Sequence, residues 1–418
     1  MVEKFTFKDN ENWNDKYSYY GLYSLCVTLF LMPFPRGWSL YPLGITLFLG
    51  LMAWLTDFRY YIKLFKHKLI ILAPLISYFI IHAAGLIFNN NLANVTDKLM
   101  FLLVPVFGFP VFVRYCFFRN INLILKGFIF GILFVCLLEF TYALWQGISF
   151  DNGSFIFTDD EDHLLSGFLH EQLSLFEHPT YLSIKVLFVV VIIFTMKQEL
   201  HFSKIFVFIT TVLLLAFLYS LSSLTGFILM AILFTVFLYK FLKLKRIHYL
   251  LLVILPVIIF TTYKISSVNE RLNQKLSASW NRYKNGETDL RNIDPRFLEW
   301  LTTINLIQEK PIFGYGLNSR DILANEYSQN GYDYEASLRL NSHNQFLETQ
   351  LAFGIPGTLI LLWMLLKPLI RRKNTWNQSL IIPFLIIVGI SMLFESILVR
   401  QWGIMFFVLF YCILLIPE

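Results

Sequence analysis

Charge is scarce in this chain. Of its 418 residues only 15% are Asp, Glu, Lys or Arg, while 56% are hydrophobic. A soluble domain carries about a quarter of its residues charged, so an ordinary water-soluble globule is excluded. Cysteine is scarce as well: Cys26, Cys116, Cys136 and Cys412 each fall inside an apolar run. Buried, reduced thiols are the expectation, which leaves no disulfide scaffold. Metal patterns are missing too. His170, Glu171, Glu177 and His178 match no zinc spacing such as H-E-x-x-H, so neither a metal nor a cofactor is expected. There is no internal repeat and no low-complexity tract. The net charge of +6 calls for no nucleic-acid partner, because the cytoplasmic loops of membrane proteins are basic anyway.

What the chain has in abundance is apolar runs of membrane-spanning length, with 44 Phe and a mean hydropathy of +0.60. A transmembrane β-barrel would show short alternating segments instead. The fold class expected is an all-α membrane protein of about twelve spans. These run near 18–33, 39–56, 69–88, 99–117, 123–146, 179–196, 204–220, 222–240, 249–263, 353–369, 379–395 and 401–416. Residues 1–16 are polar and of mixed charge, so the first run reads as a retained span rather than a cleaved signal. Basic residues follow spans 2, 4, 6, 8 and 10, for example Lys63, Lys66 and Lys68, then Arg371, Arg372 and Lys373. Loop 148–178 carries seven acids and no Lys or Arg. Positive charge stays inside, which puts both termini in the cytoplasm. The chain reads as one polytopic domain, 1–418, with loop 148–178 and a larger loop, 264–352, on the outer side. The larger loop holds ten Lys or Arg. Long loops escape the charge rule, so the topology stands, but those cations need another reason to be there.

Asp294-Pro295-Arg296 reads as a helix start, with Asp as N-cap and Pro at the first helical position. Arg296 then sits in the first turn, where the dipole disfavours a cation unless an anion is bound. Pairing with Glu299, one turn on, is the ordinary alternative. Phe313-Gly314-Tyr315-Gly316 lacks the Lys and Ser/Thr of a phosphate loop and reads as a tight structural turn. Ser342 with Gln345 fits a capping box, which places His343 at the first helical position. There the dipole would keep the imidazole neutral and able to take a proton from a hydroxyl. A capping or interfacial His is the plainer alternative. Gly354-Ile355-Pro356-Gly357 breaks this helix before span 10. Arg271, Arg320 and Arg339 are each solvated charges or anion ligands.

Polar residues at membrane depth are few. Lys185 lies seven residues after His178 within span 6, on the same helical face. An intramembrane Lys is a functional candidate by default, with snorkelling as the alternative. Glu395 and Arg400 flank the last outer turn and are positioned to pair with each other.

Taken together these motifs resemble the O-antigen ligase and polymerase superfamily, membrane glycosyltransferases of the GT-C type. The resemblance rests on Arg296 before Trp300, Pro-Ile-Phe-Gly-Tyr-Gly-Leu at 311–317, His-Asn-Gln-Phe-Leu-Glu at 343–348 and Phe-Gly-Ile-Pro-Gly at 353–357. His178-Pro179, Ser223-Leu224-Thr225-Gly226 and Glu395 add to it, as do the twelve spans and the late outer loop. The resemblance implies a bacterial inner-membrane enzyme of lipopolysaccharide biosynthesis, working at the periplasmic face without metal. Its donor would be a polysaccharide on undecaprenyl pyrophosphate. Its acceptor would be lipid A-core, or another glycan in a repeat-unit polymerase. It implies His343 as the base with Asn344, His178 and Glu395 in support, and Arg296 and Arg271 on the pyrophosphate. Family members commonly carry an Arg where Leu224 stands. Lys185, Arg320 or Arg339 are the substitutes at hand. A protein O-oligosaccharyltransferase and a lipid-glycan transporter remain as alternatives. The transporter would need a polar intramembrane path and often a repeat, neither of which is prominent.

Overall fold

A computed structural model describes residues 13–35, 37–87, 95–115, 121–151, 154–157, 173–221, 223, 225–226, 228–231, 295–370 and 376–416. Apart from one short hairpin, the regular structure among the described residues is helical. Among the described residues, three helices are long and apolar enough to cross a membrane: Phe58–Gly85, Ile121–Trp145 and Gln345–Ile370. Shorter apolar helices cover Leu40–Thr56, Pro179–Thr195, Lys204–Ser220, Ser379–Phe394 and Gln401–Leu415.

In chain order the first helices are α1 (Trp13–Phe30), α2 (Leu40–Thr56) and α3 (Phe58–Gly85). Helix α3 starts eleven residues before the expected span at 69, because Asp57 caps it by accepting from the Tyr60 amide. The expected single span 99–117 is two helices, α4 (Met100–Phe107) and α5 (Phe109–Tyr115). Pro110 has no N–H to donate to the Val106 carbonyl one turn back. That carbonyl instead accepts from the Trp54 indole at 2.8 Å. Helix α6 (Ile121–Gly147) follows and crosses α1 closely. The crossing needs glycine, since a Cβ at Gly131 would lie 2.1 Å from the Phe30 carbonyl oxygen.

At the start of the acidic loop, β1 (Ile148–Asp151) pairs antiparallel with β2 (Ser154–Phe157), Ile148 opposite Phe157. All-α therefore holds for the rest of the described residues but not for this hairpin. Helices α7 (Pro179–Thr195) and α8 (Lys204–Ser220) pack next. After them come α9 (Pro295–Glu309), α10 (Ser319–Gln329), the short α11 (Asp333–Ser337), α12 (Gln345–Leu366), α13 (Trp376–Phe394) and α14 (Gln401–Leu415). Helix α14 is buried along its whole length from Gly403, so it is the central post of the bundle. Phe128, Phe188, Phe384, Phe406 and Phe410 interlock around it, edge to face and stacked.

Helix α12 carries the expected break. Gly354 has φ 59 and ψ −150 inside the helix, which only glycine adopts readily. The turn after α9 docks on this kink backbone to backbone. The Ile355 amide donates to the Ile312 carbonyl at 3.0 Å and the Tyr315 amide to the Leu351 carbonyl at 2.8 Å. A Cβ at Gly354 would sit 2.1 Å from the Ile312 oxygen, and one at Gly314 2.5 Å from the Leu351 oxygen. The two glycine motifs are thus the two halves of one joint, which fixes α9 against the start of α12.

Candidate active site

Three elements meet at His343. Helix α9 brings Glu299, buried and one turn into the helix. The segment before α12 brings His343 itself. The turn between α13 and α14 brings Glu395, also buried. His343 Nδ1 lies 3.3 Å from Glu395 Oε2, and Nε2 lies 3.9 Å from Glu299 Oε1. Arg296 and His178 stand within electrostatic range of Glu395. These residues are far apart in sequence and come together through the packing of α9, α12 and α13.

The local geometry corrects the expected capping box. Asn344, not Ser342, is the N-cap: its Oδ1 accepts from the amides of Phe346 at 2.9 Å and Leu347 at 3.1 Å. Ser342 instead gives both its amide and its hydroxyl a bond to Glu348. His343 therefore precedes the cap rather than opening the helix. It holds the left-handed φ of 44, with its amide donated to Asn341 Oδ1 at 2.8 Å. Such a φ is uncommon and strained for a residue with a Cβ. The strain aims the ring at the two acids.

The expected electrostatics change with the geometry. The helix dipole was to keep His343 neutral. In the fold, burial does disfavour the charged ring, but the hydrogen bond and charge of Glu395 and the nearby Glu299 outweigh burial and Arg296. The net direction for His343 is upward from the ordinary histidine value. Burial pushes Glu299 up to about 8, against the opposing pull of His343 and Arg296. Glu395 receives Nδ1–H, which leaves Nε2 as the ring's basic atom on the side facing Glu299.

The turn carrying Glu395 is held from several sides. Asn344 Nδ2 donates to the Leu393 carbonyl at 3.1 Å. The Leu398 amide donates to Gln345 Oε1 at 2.6 Å, and Lys98 donates to the Leu398 carbonyl. Beside these contacts lies a cavity of about 90 Å³, open on one side, whose wall includes His82, Lys98, Arg320, Gln345 and Glu348.

Not all expected site residues gather here. Lys185 is buried in the bundle, its Nζ 2.7 and 2.8 Å from the Glu177 oxygens and 3.3 Å from the Met32 carbonyl. It neither snorkels nor reaches His343. Arg339 is exposed and paired with Asp321. His178 caps α7, its Nδ1 accepting from the Thr180 amide at 3.3 Å. Glu395 pairs with His343 rather than with Arg400. Arg271, Leu224 and Asp294 lie outside the described residues. Sequence reasoning missed Glu299 as a partner of His343. An acid among Phe297, Leu298, Trp300 and Leu301 was the available signal.

Residues 205–362 match the family model described as O-antigen ligase. The matched stretch includes Arg296, Glu299 and His343 and ends before Glu395. No curated protein matches the chain. The family match supports the resemblance to the O-antigen ligase superfamily. With the apolar helices, it supports a glycosyltransferase-like enzyme in a lipid environment.

Proposed function

We propose, taking an O-antigen ligase-like segment as the premise, that this chain moves a polysaccharide from undecaprenyl pyrophosphate to a lipid A-core acceptor. In this reading about twelve spans cross the bacterial inner membrane, both termini are cytoplasmic, and His343 faces the periplasm. The observation that carries the reading is His343 held between Glu395 and Glu299 at the mouth of a kinked helix.

His343 Nε2 takes the proton from an acceptor hydroxyl, while Glu395 steadies the imidazolium that forms through Nδ1. The freed oxygen attacks the anomeric carbon from the face opposite the diphosphate. The new C–O bond forms as the bond to the phosphate oxygen breaks, and the configuration inverts. The electron pair leaves with the lipid diphosphate, whose charge Arg296 and Arg271 offset. Lys185 and Arg339 already hold carboxylates of the chain and are not assigned to the diphosphate. No metal takes part in this scheme.

Repeat-unit polymerisation uses the same chemistry with a glycan acceptor. Leu224, which stands where family members commonly have Arg, weakens the ligase assignment more than the shared chemistry and keeps this second reading. Deleting the gene and complementing with His343→Ala or Arg296→Ala, read on a glycan gel, separates the cases. Loss of long polysaccharide on lipid A-core, with lipid-linked polymer accumulating, supports the ligase. A single attached repeat would point to the polymerase. Full complementation by His343→Ala would remove the base assignment.

A further inference from the structure

The cavity beside Gln345 holds charges that the proposed reaction does not use. It is open to solvent on one side and lies between α3, the start of α10, the start of α12 and the Leu398–Val399 turn. Arg320, half-buried, stands in its wall. Lys98, only 7% exposed, lines the same space. It gives one proton to the Leu398 carbonyl, and an ammonium has three to give.

Two acids, Asp97 and Glu348, share the wall with these two cations. A multiply charged diphosphate would find its cations offset there. A ligand with one negative charge and several hydroxyls would find every feature matched. Its anion meets the Arg320 fork, its hydroxyls meet carboxylate acceptors, and its ring meets Tyr78 and Phe353, which also line the cavity.

We propose that this cavity is a subsite for one sugar residue bearing a carboxylate, bound by Arg320 with Lys98, with Asp97 and Glu348 accepting its hydroxyls. It rests on the glycosyltransferase reading and names the substrate class as an acidic glycan. The cavity wall includes Gln345, two residues past His343 in the chain, so the acidic sugar would sit beside the reaction centre.

The test uses the full chain in lipid nanodiscs and saturation-transfer NMR, with glucuronic acid, glucose and inorganic diphosphate as probes. Glucuronic acid is expected to bind at least about tenfold more tightly than glucose, in keeping with a charged hydrogen bond of 1.5–3 kcal/mol. Diphosphate should not displace it. Arg320→Gln should abolish the preference, and Arg320→Lys should weaken it several-fold by losing the planar fork, which guards against misfolding of the first variant. Equal binding of glucose and glucuronic acid would overturn the subsite. Displacement by diphosphate would also overturn it and assign the cavity to the donor's phosphates. His343→Ala should bind glucuronic acid as the parent does. If that variant binds the sugar yet still transfers glycan, the reaction reading fails and the subsite stands. If it loses transfer while the parent binds no glucuronic acid, the subsite alone fails.

Discussion

Two buried acid–base pairs in this molecule look alike in sequence and differ in the fold. Lys185–Glu177 lies inside the bundle with both side chains at 1% exposure or less, closed at 2.7 Å, and with the Met32 carbonyl taking a further proton. His343–Glu395 lies where α9, α12 and the turn after α13 meet, with the His side chain 18% exposed, 3.3 Å on one nitrogen and 3.9 Å from Glu299 on the other. The first pair is saturated: every charge has its partner and no room remains for a reactant. The second is open at Nε2. An intramembrane Lys is a functional candidate by default, yet here the completed pairing makes Lys185 a structural element and the unfinished pairing marks His343. What separates chemistry from structure is an unused valence, not burial or charge.

That contrast can be broken by mutation. The largest effect expected is on transfer: His343→Ala should cost about 10²–10⁴-fold in rate, the usual worth of a general base, with the protein still extracted folded from membranes. Glu177→Ala should cost about 3–5 kcal/mol of stability by leaving Lys185 charged and alone in the bundle, read as a lower thermal midpoint in detergent. Replacing both members, Glu177→Leu with Lys185→Met, should return stability to near the parent and leave transfer largely intact. If the double variant folds but loses transfer, Lys185 is not merely structural. Asn344→Ala should cost about 0.5–2 kcal/mol for the lost cap. It should also lower transfer, because the same side chain ties the α12 start to Leu393, two residues before Glu395.

Much of this was legible in the sequence, and the remainder was lost for identifiable reasons. The spans near 39–56, 179–196 and 204–220 match α2, α7 and α8 closely, and for the latter two the side chains of His178 and Ser203 cap the start of the apolar run. The break at Gly108 was readable from Pro110 but was passed over in favour of one long run. The cap of α12 was a contest between Ser342 and Asn344, both competent residues. Asn344 wins because its amide also reaches Leu393 on another helix, a contact no local pattern encodes. Glu299 and Glu395 were visible as acids in apolar stretches. Their convergence on His343 depends on the Gly314–Gly354 joint and on the packing of α12 against α13, which sequence periodicity does not specify. The partner of Lys185 lies eight residues earlier, before its own helix begins, outside the three-or-four spacing of helix neighbours.

The central claim is that His343 is a base whose proton affinity Glu395 raises. A histidine base works only when deprotonated, so transfer should rise with pH through the His343 pKa, which the fold holds above the ordinary histidine value of about 6.5. Removing the carboxylate should let that pKa fall, moving the acid limb of the profile to lower pH. The decisive measurement is kcat/KM for glycan transfer against pH in the parent and in Glu395→Gln. The account predicts an acid limb above pH about 6.5 in the parent that shifts downward in the variant. An acid limb at the same pH in both would contradict it.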